Sequence, residues 1–206
     1  EDDDGYRNKG FSLNAGLTPS SLFEANLALR YIDSVNDIDG FQADDVNARN
    51  HQRQLFINTE LKGFLFNRQW QPTLSYSQSN IDRQNKDDRL AITDNLVRTF
   101  FDAKKEKFSF QNDFYFIPQN TLTIGYEIEN ERINNRGFTS FGDTSGFGNF
   151  VINQQTDTSR KTRAFFIQDQ ITVTNQLSLT LGVRHDDPND FDSETTHRAS
   201  LLYAIN

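Results

Sequence analysis

Apolar and polar residues alternate along most of this chain, and the alternation recurs in nine stretches. In the first, Phe11, Leu13, Ala15 and Leu17 are separated by small or polar residues. A period of two places successive side chains on opposite faces of a β-strand. The same pattern recurs near residues 23–31, 55–65, 70–76, 108–116, 122–128, 165–171, 177–183 and 199–203. The pattern therefore predicts nine strands, each of about 9 to 12 residues, a length that suits a tilted membrane-spanning strand.

The segments between these strands alternate between short turns and long polar stretches. Short turns are predicted at Pro19, Asn67, Pro118 and Asn175, and long loops near residues 34–52, 80–97, 133–161 and 187–195. A transmembrane barrel produces this alternation because tight turns form one rim and longer loops form the other. The sequence thus predicts an all-β fold, an antiparallel up-and-down transmembrane β-barrel segment. A soluble all-β domain is the alternative.

Composition supports the membrane interpretation. Only 35% of residues are hydrophobic and the mean hydropathy is −0.71, yet 13% are aromatic, including 19 Phe. Aromatic residues lie near both ends of the apolar face, as in the pairs Phe23–Tyr31 and Phe108–Phe116. Eight residues of strand span about 26 Å, or roughly 20 Å along the membrane normal after tilt. That height approaches the ~25 Å apolar band, flanked by aromatic girdles, of membrane barrels.

Charge and motif content exclude several other functions. The net charge of −8 argues against a nucleic-acid surface. The chain has no cysteine, which excludes disulfides and cysteine-ligated zinc. The three histidines lack metal-ligand spacing, and no GxSxG, P-loop or HExxH motif occurs. We therefore expect no enzymatic activity, no cofactor and no bound metal.

The polar face of the predicted strands carries many charges. They are Glu24, Arg30, Glu60, Lys62, Glu127, Glu129, Glu131 and Arg184. Charges are costly against lipid but are tolerated in a wet interior. A solvated wall, or one packed on an internal plug, is the favoured interpretation, and a charged translocation path is the alternative. Glu127 and Glu129 resemble a catalytic carboxylate pair only in spacing.

The long loops are the expected recognition surface. The third loop places aromatic residues among glycines, and its candidate ligand-binding residues are Arg136, Phe138, Phe141, Phe147 and Phe150. This composition suits either a lid that grips a ligand or a loop that buries its own phenylalanines. The first loop contains Asp33, Asp37, Asp39, Asp44 and Asp45. A solvated acidic loop is favoured there, and calcium binding is the alternative, since the remaining EF-hand ligands are missing.

Two segments resemble a known family. The strand Phe165–Gln170, with its aromatic–Gln–Asp pattern, is followed by a turn and by Leu177–Asp186, which contains Gly182-Val183-Arg184. This arrangement resembles the barrel signature of TonB-dependent outer-membrane receptors, with His185 where Tyr or Phe is usual. Weaker similarity extends over nearly the whole chain, and it is closest to the cobalamin-receptor-like and siderophore-receptor branches.

The resemblance implies a barrel of about 22 strands with a plugged lumen. Residues 1–206 would form one β-barrel region from the middle of that barrel, without the plug domain, the TonB-contacting box or the terminal aromatic strand. The implied function is uptake of an iron–siderophore, haem or cobalamin across the bacterial outer membrane. The implied partners are outer-membrane lipid and a TonB-type energy-coupling protein that acts through the plug. A passive porin-like barrel and a soluble carbohydrate-binding module remain as alternatives.

Overall fold

The chain folds into one sheet of nine antiparallel strands. The computed structural model describes residues 5–38, 47–91, 93–143, 146 and 148–204. The strands are β1 (Tyr6–Ser20), β2 (Phe23–Asp37), β3 (Arg49–Gly63), β4 (Trp70–Asp87), β5 (Leu96–Phe114), β6 (Asn120–Phe141), β7 (Phe150–Thr172), β8 (Leu177–Pro188) and β9 (Glu194–Tyr203). Each strand pairs with its neighbours in sequence, in the order β1 to β9. The predicted strand number and up-and-down order are confirmed. None of the described residues belongs to a helix long and apolar enough to span a membrane.

The strand register places the alternating apolar residues of all nine strands on the same face of the sheet. Directly opposed residues of an antiparallel ladder share a face. Leu29 pairs with both Leu13 and Ile57, and Leu179 pairs with Leu201. The intervening strands continue the same face, as in the pair Leu61–Leu74. We call this the apolar face, and the opposite one, which carries all eight charges predicted above, the polar face.

No described residue forms a second layer above the sheet. Within the described ranges, the only buried apolar side chains are those of Phe64 and Ala164. On the apolar face, by contrast, Leu61 is 47% exposed and Phe165 is 51% exposed. A soluble sandwich would bury one face of each sheet against a partner layer. The single layer contradicts that alternative, and the apolar face requires cover from outside the chain.

The strands on the long-loop side extend further than the sequence predicts. β5, β6 and β7 contain 19, 22 and 23 residues. The predicted loop 133–161 was therefore wrong in extent, because most of it is paired strand and only residues 142–149 connect β6 to β7. The predicted loops 34–52 and 80–97 are also partly strand. Ladder hydrogen bonds use the backbone alone, so strands that are polar on both faces pair without showing an apolar alternation.

β7 extends beyond its second partner. β8 ends at Pro188, which pairs with Thr162, so the part of β7 outside Thr162 is paired with β6 alone. Asn189 closes the pairing at this point: its backbone N–H donates to the Lys161 carbonyl over 2.9 Å, and the Lys161 N–H donates to Asn189 Oδ1 over 2.7 Å. The outer half of β7 is therefore an open edge of the sheet.

The turn between β3 and β4 is held in an unusual backbone conformation. Phe66, Asn67 and Arg68 have φ values of 50°, 55° and 67°. This left-handed region is costly for residues other than glycine. The Arg68 guanidinium lies over the Phe64 ring, 3.9 Å from its centroid, and helps to hold the turn.

A row of stacked aromatic rings follows the short-turn rim. Phe66 and Trp70 stack with centroids 6.1 Å apart, and Trp70 and Phe114 stack at 6.4 Å. Phe116 continues the row, 5.7 Å from Phe114. Trp70 also donates from Nε1 to Asn112 Oδ1 over 3.0 Å. Aromatic residues with one polar group of this kind suit a membrane–water interface.

Candidate functional site

The densest ion-pair network lies on the polar face, where β5, β6 and β8 contribute side chains. Lys107 Nζ lies 2.8 Å from Glu127 Oε1, and Arg184 Nη1 lies 2.8 Å from Glu127 Oε2. Arg184 Nε also donates to Asp186 Oδ2 over 2.9 Å. The Glu127 side chain is only 13% exposed, so the two cations offset the cost of removing its charge from water. The network joins three strands across the polar face.

The neighbouring carboxylates are neutralised in the same way. Lys105 Nζ lies 2.7 Å from Glu129 Oε1 and 3.1 Å from Glu131 Oε1. The residues that resembled a carboxylate pair in sequence are thus partners of lysine. This pairing favours a structural wall over an open charged path at this level of the polar face.

A glycine on β6 accommodates an aromatic ring from β7. Gly125 pairs directly with Phe166, and a Cβ atom on Gly125 would overlap the Phe166 ring, with Cε2 only 2.7 Å away. The Arg184 guanidinium lies over the same ring, 5.9 Å from its centroid. The Phe166 ring therefore packs against the Gly125 backbone on one side and makes a cation–π contact with Arg184 on the other.

Asp113 is a buried carboxylate that the sequence reasoning did not single out. It is 8% exposed and lies on the polar face near the short-turn rim. Thr123 Oγ1 donates to it over 2.7 Å, and Gln111 Nε2 donates over 3.1 Å. Its signal in the sequence was only its polar-face position, which many solvated residues share.

Higher on the polar face, an apolar row interrupts the polar pattern. Ile81 pairs with Ala103, and Ala103 pairs with Ile133, so the three lie side by side across β4, β5 and β6. Phe101 lies on the same face one pair further out. Ile133 is 38% exposed. The row lay inside predicted loops or between predicted strands, so its alignment could not be foreseen.

The outer tips of the strands contact one another. Arg89, between β4 and β5, donates from Nη2 to Ser140 Oγ over 2.9 Å and to the Ser140 carbonyl over 3.0 Å. Gly142, the first residue after β6, packs against the backbone of Thr93 and Asp94. A Cβ atom added to Gly142 would lie only 2.6 Å from the Asp94 backbone nitrogen. The β4–β5 connection is thereby fastened to the tip of β6.

The predicted ligand-binding residues are distributed over both faces of this tip. Phe141 and Phe150 pair directly on the polar face and stack with centroids 6.0 Å apart. Arg136 and Phe138 lie on the opposite face of β6, which continues the apolar face outward, and Arg136 Nε donates to Asn134 Oδ1 over 3.0 Å. Phe147 lies outside the described residues. Their role in ligand binding stays a prediction.

Two carboxylates face each other on the apolar face, toward the long-loop end of β4 and β5, beyond its continuous apolar residues. Asp82 on β4 pairs directly with Asp102 on β5. Burial raises the pKa of the Asp102 carboxyl above its ordinary value, and the hydrogen bond and charge of Asp82 raise it further, against the opposing charges of Arg136 and Arg53. The protonated form of Asp102 is thereby favoured.

Two of the aspartates suggested for calcium contact histidine and arginine side chains. His51 Nε2 lies 2.7 Å from Asp33 Oδ1, and Arg49 Nε lies 2.9 Å from Asp37 Oδ1. Asp39, Asp44 and Asp45 lie outside the described residues. Among the residues that the structure does describe, no group of three or more histidines and carboxylates is placed to hold a metal ion.

A comparison with protein-family models gives one match over the whole chain. Residues 1–206 match the family described as TonB dependent receptor-like, beta-barrel. A search of curated proteins finds no match.

Solved structures give further matches at low sequence identity. The ferric citrate transporter FecA, in its unliganded form, is 15% identical with a TM-score of 0.72, over 98% of this chain and 34% of that one. The siderophore receptor PirA from Acinetobacter baumannii is 14% identical with a TM-score of 0.72, over 98% and 32%. The RagAB peptide importer is 8% identical with a TM-score of 0.66, over 96% and 30%. The chain spans about a third of each structure and shares its barrel fold.

Proposed function

Because this chain belongs to the TonB-dependent receptor-like β-barrel family, we propose that it forms part of the wall of an outer-membrane receptor that imports a scarce, large ligand. The ligand classes are iron–siderophores, haem and cobalamin. A plug domain elsewhere in the parent protein fills the barrel and transmits the action of a TonB-type energy-coupling protein. The observation that carries the proposal is the family match over residues 1–206.

The division of the sheet into two faces supports this function. Exposed aliphatic and aromatic side chains cover one face across all nine strands, as lipid contact requires. The opposite face carries paired charges that lipid does not tolerate. β1 and β9 each pair on one side only, and a barrel wall in lipid must close its edges. Further strands of the parent protein therefore complete the ring.

The outer tip of β6 and β7 is the proposed contact with the ligand. Phe141 and Phe150 form a stacked pair on the polar face, so they border the space that the barrel encloses. Two flat rings at the mouth present an apolar surface to a large ligand. Arg136, Phe138 and Phe147 complete the predicted set, with Arg136 and Phe138 acting from the outer side of β6.

Uptake by the full-length parent receptor tests the proposal. Cells that depend on it are supplied with ⁵⁵Fe-labelled siderophores, haem and radiolabelled cobalamin, with and without a functional energy-coupling protein. We expect energy-dependent uptake of one class. Uptake that continues without energy coupling would indicate the passive porin-like alternative, and failure to import all three classes would refute the ligand assignment.

A pair of matched variants tests the aromatic contact. Phe141→Ala together with Phe150→Ala is expected to weaken apparent ligand affinity about 30-fold or more, since aromatic anchors at binding sites each contribute about 1 kcal/mol or more and a factor of ten corresponds to about 1.4 kcal/mol. Phe191→Ala removes a ring from the β8–β9 connection that is about as exposed as that of Phe150, 67% against 65%, and should leave uptake unchanged. Unchanged affinity in the double variant would remove this pair from the binding surface.

A further inference from the structure

A zone without net charge lies on the polar face, between the ion-pair network and the outer tips of the strands. Outward from Lys105 and Glu131, the polar-face positions of β3 to β7 carry amide, hydroxyl and apolar side chains. Among the described residues there, only Arg83 and Asp87 of β4 are charged, and their charges cancel. We call the polar-face positions of β3 to β7, from the row of Ile81 outward, the neutral wall.

The opposite face of the same strand segments is highly charged. At the same height it carries eight Asp, Lys and Arg residues, which include Asp82, Asp102 and Arg136. Contact with water alone gives no reason for the two faces to differ, since charged side chains are readily solvated on either one. The neutral lining is therefore related to what the polar face encloses.

Amide and hydroxyl groups form a row across the neutral wall. Asn50 Nδ2 donates to Asn85 Oδ1, and Asn85 Nδ2 donates to Thr99 Oγ1 over 2.9 Å. Gln154 of β7 lies in the same row. An asparagine side chain has two N–H donors and two acceptor lone pairs, so beyond these two bonds Asn85 keeps one donor and one acceptor. Side chains that both donate and accept complement the amides and hydroxyls of a ligand.

The neutral wall also offers apolar surface and sufficient height for a large ligand. Ile81, Ala103 and Ile133 lie side by side at its inner end, and Phe101 lies one pair further out. From Ile133 to Phe141 the strand advances eight residues, which is about 26 Å, or roughly 20 Å along the normal after tilt. A ligand seated here contacts the apolar row with its ring or alkyl carbons and the amides with its polar groups.

The charge distribution favours an uncharged ligand. An anion that leaves water requires a cation in return for its lost hydration. The neutral wall supplies only Arg83, which Asp87 offsets, and the lysines further in are held by glutamates at 2.7 to 2.8 Å. A neutral ligand that bears amides or hydroxyls exchanges its hydrogen bonds to water for equivalent bonds to the wall.

From these observations we propose that the neutral wall selects a ligand without net charge that presents amide or hydroxyl groups, which is the chemistry of cobalamin and of an uncharged ferric hydroxamate. The inference rests on the proposed receptor function, because the polar face encloses a ligand only in a closed barrel. It narrows the proposed ligand classes, since haem, with its two carboxylates, and ferric complexes that carry negative charge are disfavoured by the wall.

Isothermal titration calorimetry of the purified full-length receptor tests the proposal. Cyanocobalamin and ferrichrome, an uncharged ferric trihydroxamate, are the neutral probes, and ferric citrate and haem are the anionic probes. We expect one neutral probe to bind at least about tenfold more tightly than either anionic probe, because the wall does not compensate a desolvated charge. Its affinity should change less than about threefold as NaCl rises from about 0.05 to about 0.5 M, because salt screens interactions between charges.

Matched double variants place two new carboxylates on one face or the other. Asn135→Asp together with Gln154→Glu charges the neutral wall at one half-buried and one exposed position. This variant should bind the neutral probe about tenfold more weakly or worse, because two amide donors are lost and two charges are partly desolvated. The control, Gln84→Glu together with Asn153→Asp, makes the same two kinds of change on the apolar face, again at one half-buried and one exposed position, and should bind like the wild type.

Four outcomes would overturn the proposal: tighter binding of ferric citrate or haem, binding of neither neutral probe, a larger salt effect than expected, or equal affinities of the two double variants. Heat-modifiable migration on gels verifies that each variant folds, and the comparisons of probes and of salt use the wild type, so they decide the question even where a variant fails to fold. Energy-dependent uptake in cells reports on the receptor function separately. Uptake of haem or ferric citrate would support that function and refute the role of the neutral wall, whereas binding of a neutral probe without energy-dependent uptake would do the reverse.

Discussion

Gly125→Ala is expected to destabilise the barrel wall, although alanine is ordinarily preferred to glycine within a strand. The added Cβ would overlap the Phe166 ring, whose Cε2 atom would lie 2.7 Å away. Ordinary carbon contacts are about 3.5–4.0 Å, so the ring must move by about 1 Å or more. Displacing it also removes support from Arg184, which lies over the ring. Overpacking of this kind costs about 1–3 kcal/mol.

The sign of the effect should reverse when the ring is absent. In a Phe166→Ala background the Cβ meets no ring, and Gly125→Ala should stabilise by about 0.5–1 kcal/mol through the loss of glycine's unfolded-state entropy. The coupling energy between the two positions is then about 1.5–4 kcal/mol, which a double-mutant cycle measures directly. The assay is the free energy of unfolding of the full-length receptor in lipid vesicles, from a denaturant titration.

Gly182→Ala is the matched control. This glycine lies on the same face of β8, and a Cβ there would make only ordinary contacts, the nearest at 3.5 Å from the Ile167 carbonyl oxygen. It should therefore be neutral or mildly stabilising. The steric reasoning is refuted if Gly125→Ala leaves the wild-type free energy of unfolding unchanged or raised, or if its effect is the same with and without the Phe166 ring.

Three further predictions follow from contacts at the rims. Because the pKa of Asp102 is raised in the folded protein, the stability that comes from its proton is fully present below the ordinary value of 3.8 and is lost as pH rises through the raised value. Asp102→Asn should therefore raise the unfolding temperature at pH 7, because it removes a carboxylate charge that the Asp82 charge repels. The gain should shrink toward pH 4, where Asp102 is protonated; a difference that does not depend on pH contradicts this. Gly142→Ala should detach the β4–β5 connection from the β6 tip, because Asp94 N lies 2.6 Å from the new Cβ; limited proteolysis should cut near residues 88–95 several-fold faster, and an unchanged digestion rate speaks against the contact. Trp70→Ala removes two ring contacts worth about 0.5–1.5 kcal/mol each, so the free energy of unfolding should fall by about 1–3 kcal/mol, and a loss below about 0.5 kcal/mol argues against the stacked row.

The sequence predicted the strands well wherever the two faces of the sheet differ in polarity. Leu27, Leu61 and Ile124 alternate with polar residues because their two faces meet different surroundings, and this contrast is visible as a period of two. Further out neither face is consistently apolar, so residues 133–141 of β6 carry no such signal and were predicted as part of a loop. Their pairing depends on backbone hydrogen bonds and on the register set further down the strand.

The candidate site was harder to predict for the same reason. The glycines and phenylalanines of residues 133–161 indicated a loop, and a loop has no defined faces. In a strand, successive side chains point to opposite faces. Phe138 and Phe141 are an odd number of residues apart, so they lie on opposite faces. The ion-paired state of Glu127 was also beyond the sequence, since its partner Arg184 lies two strands away.

The open edge of β7 has a consequence for how copies of the receptor coexist in a crowded membrane. Unpaired strand edges invite pairing with another chain and are a recognised route to aggregation. Every residue from Asn153 to Lys161 is polar or charged, so water satisfies this edge more favourably than a neighbouring molecule does. Arg160 and Asp190, 2.9 Å apart, close its inner end. Apolar substitutions at these nine positions are therefore expected to promote self-association, through an edge that lies beyond the uninterrupted apolar part of the sheet.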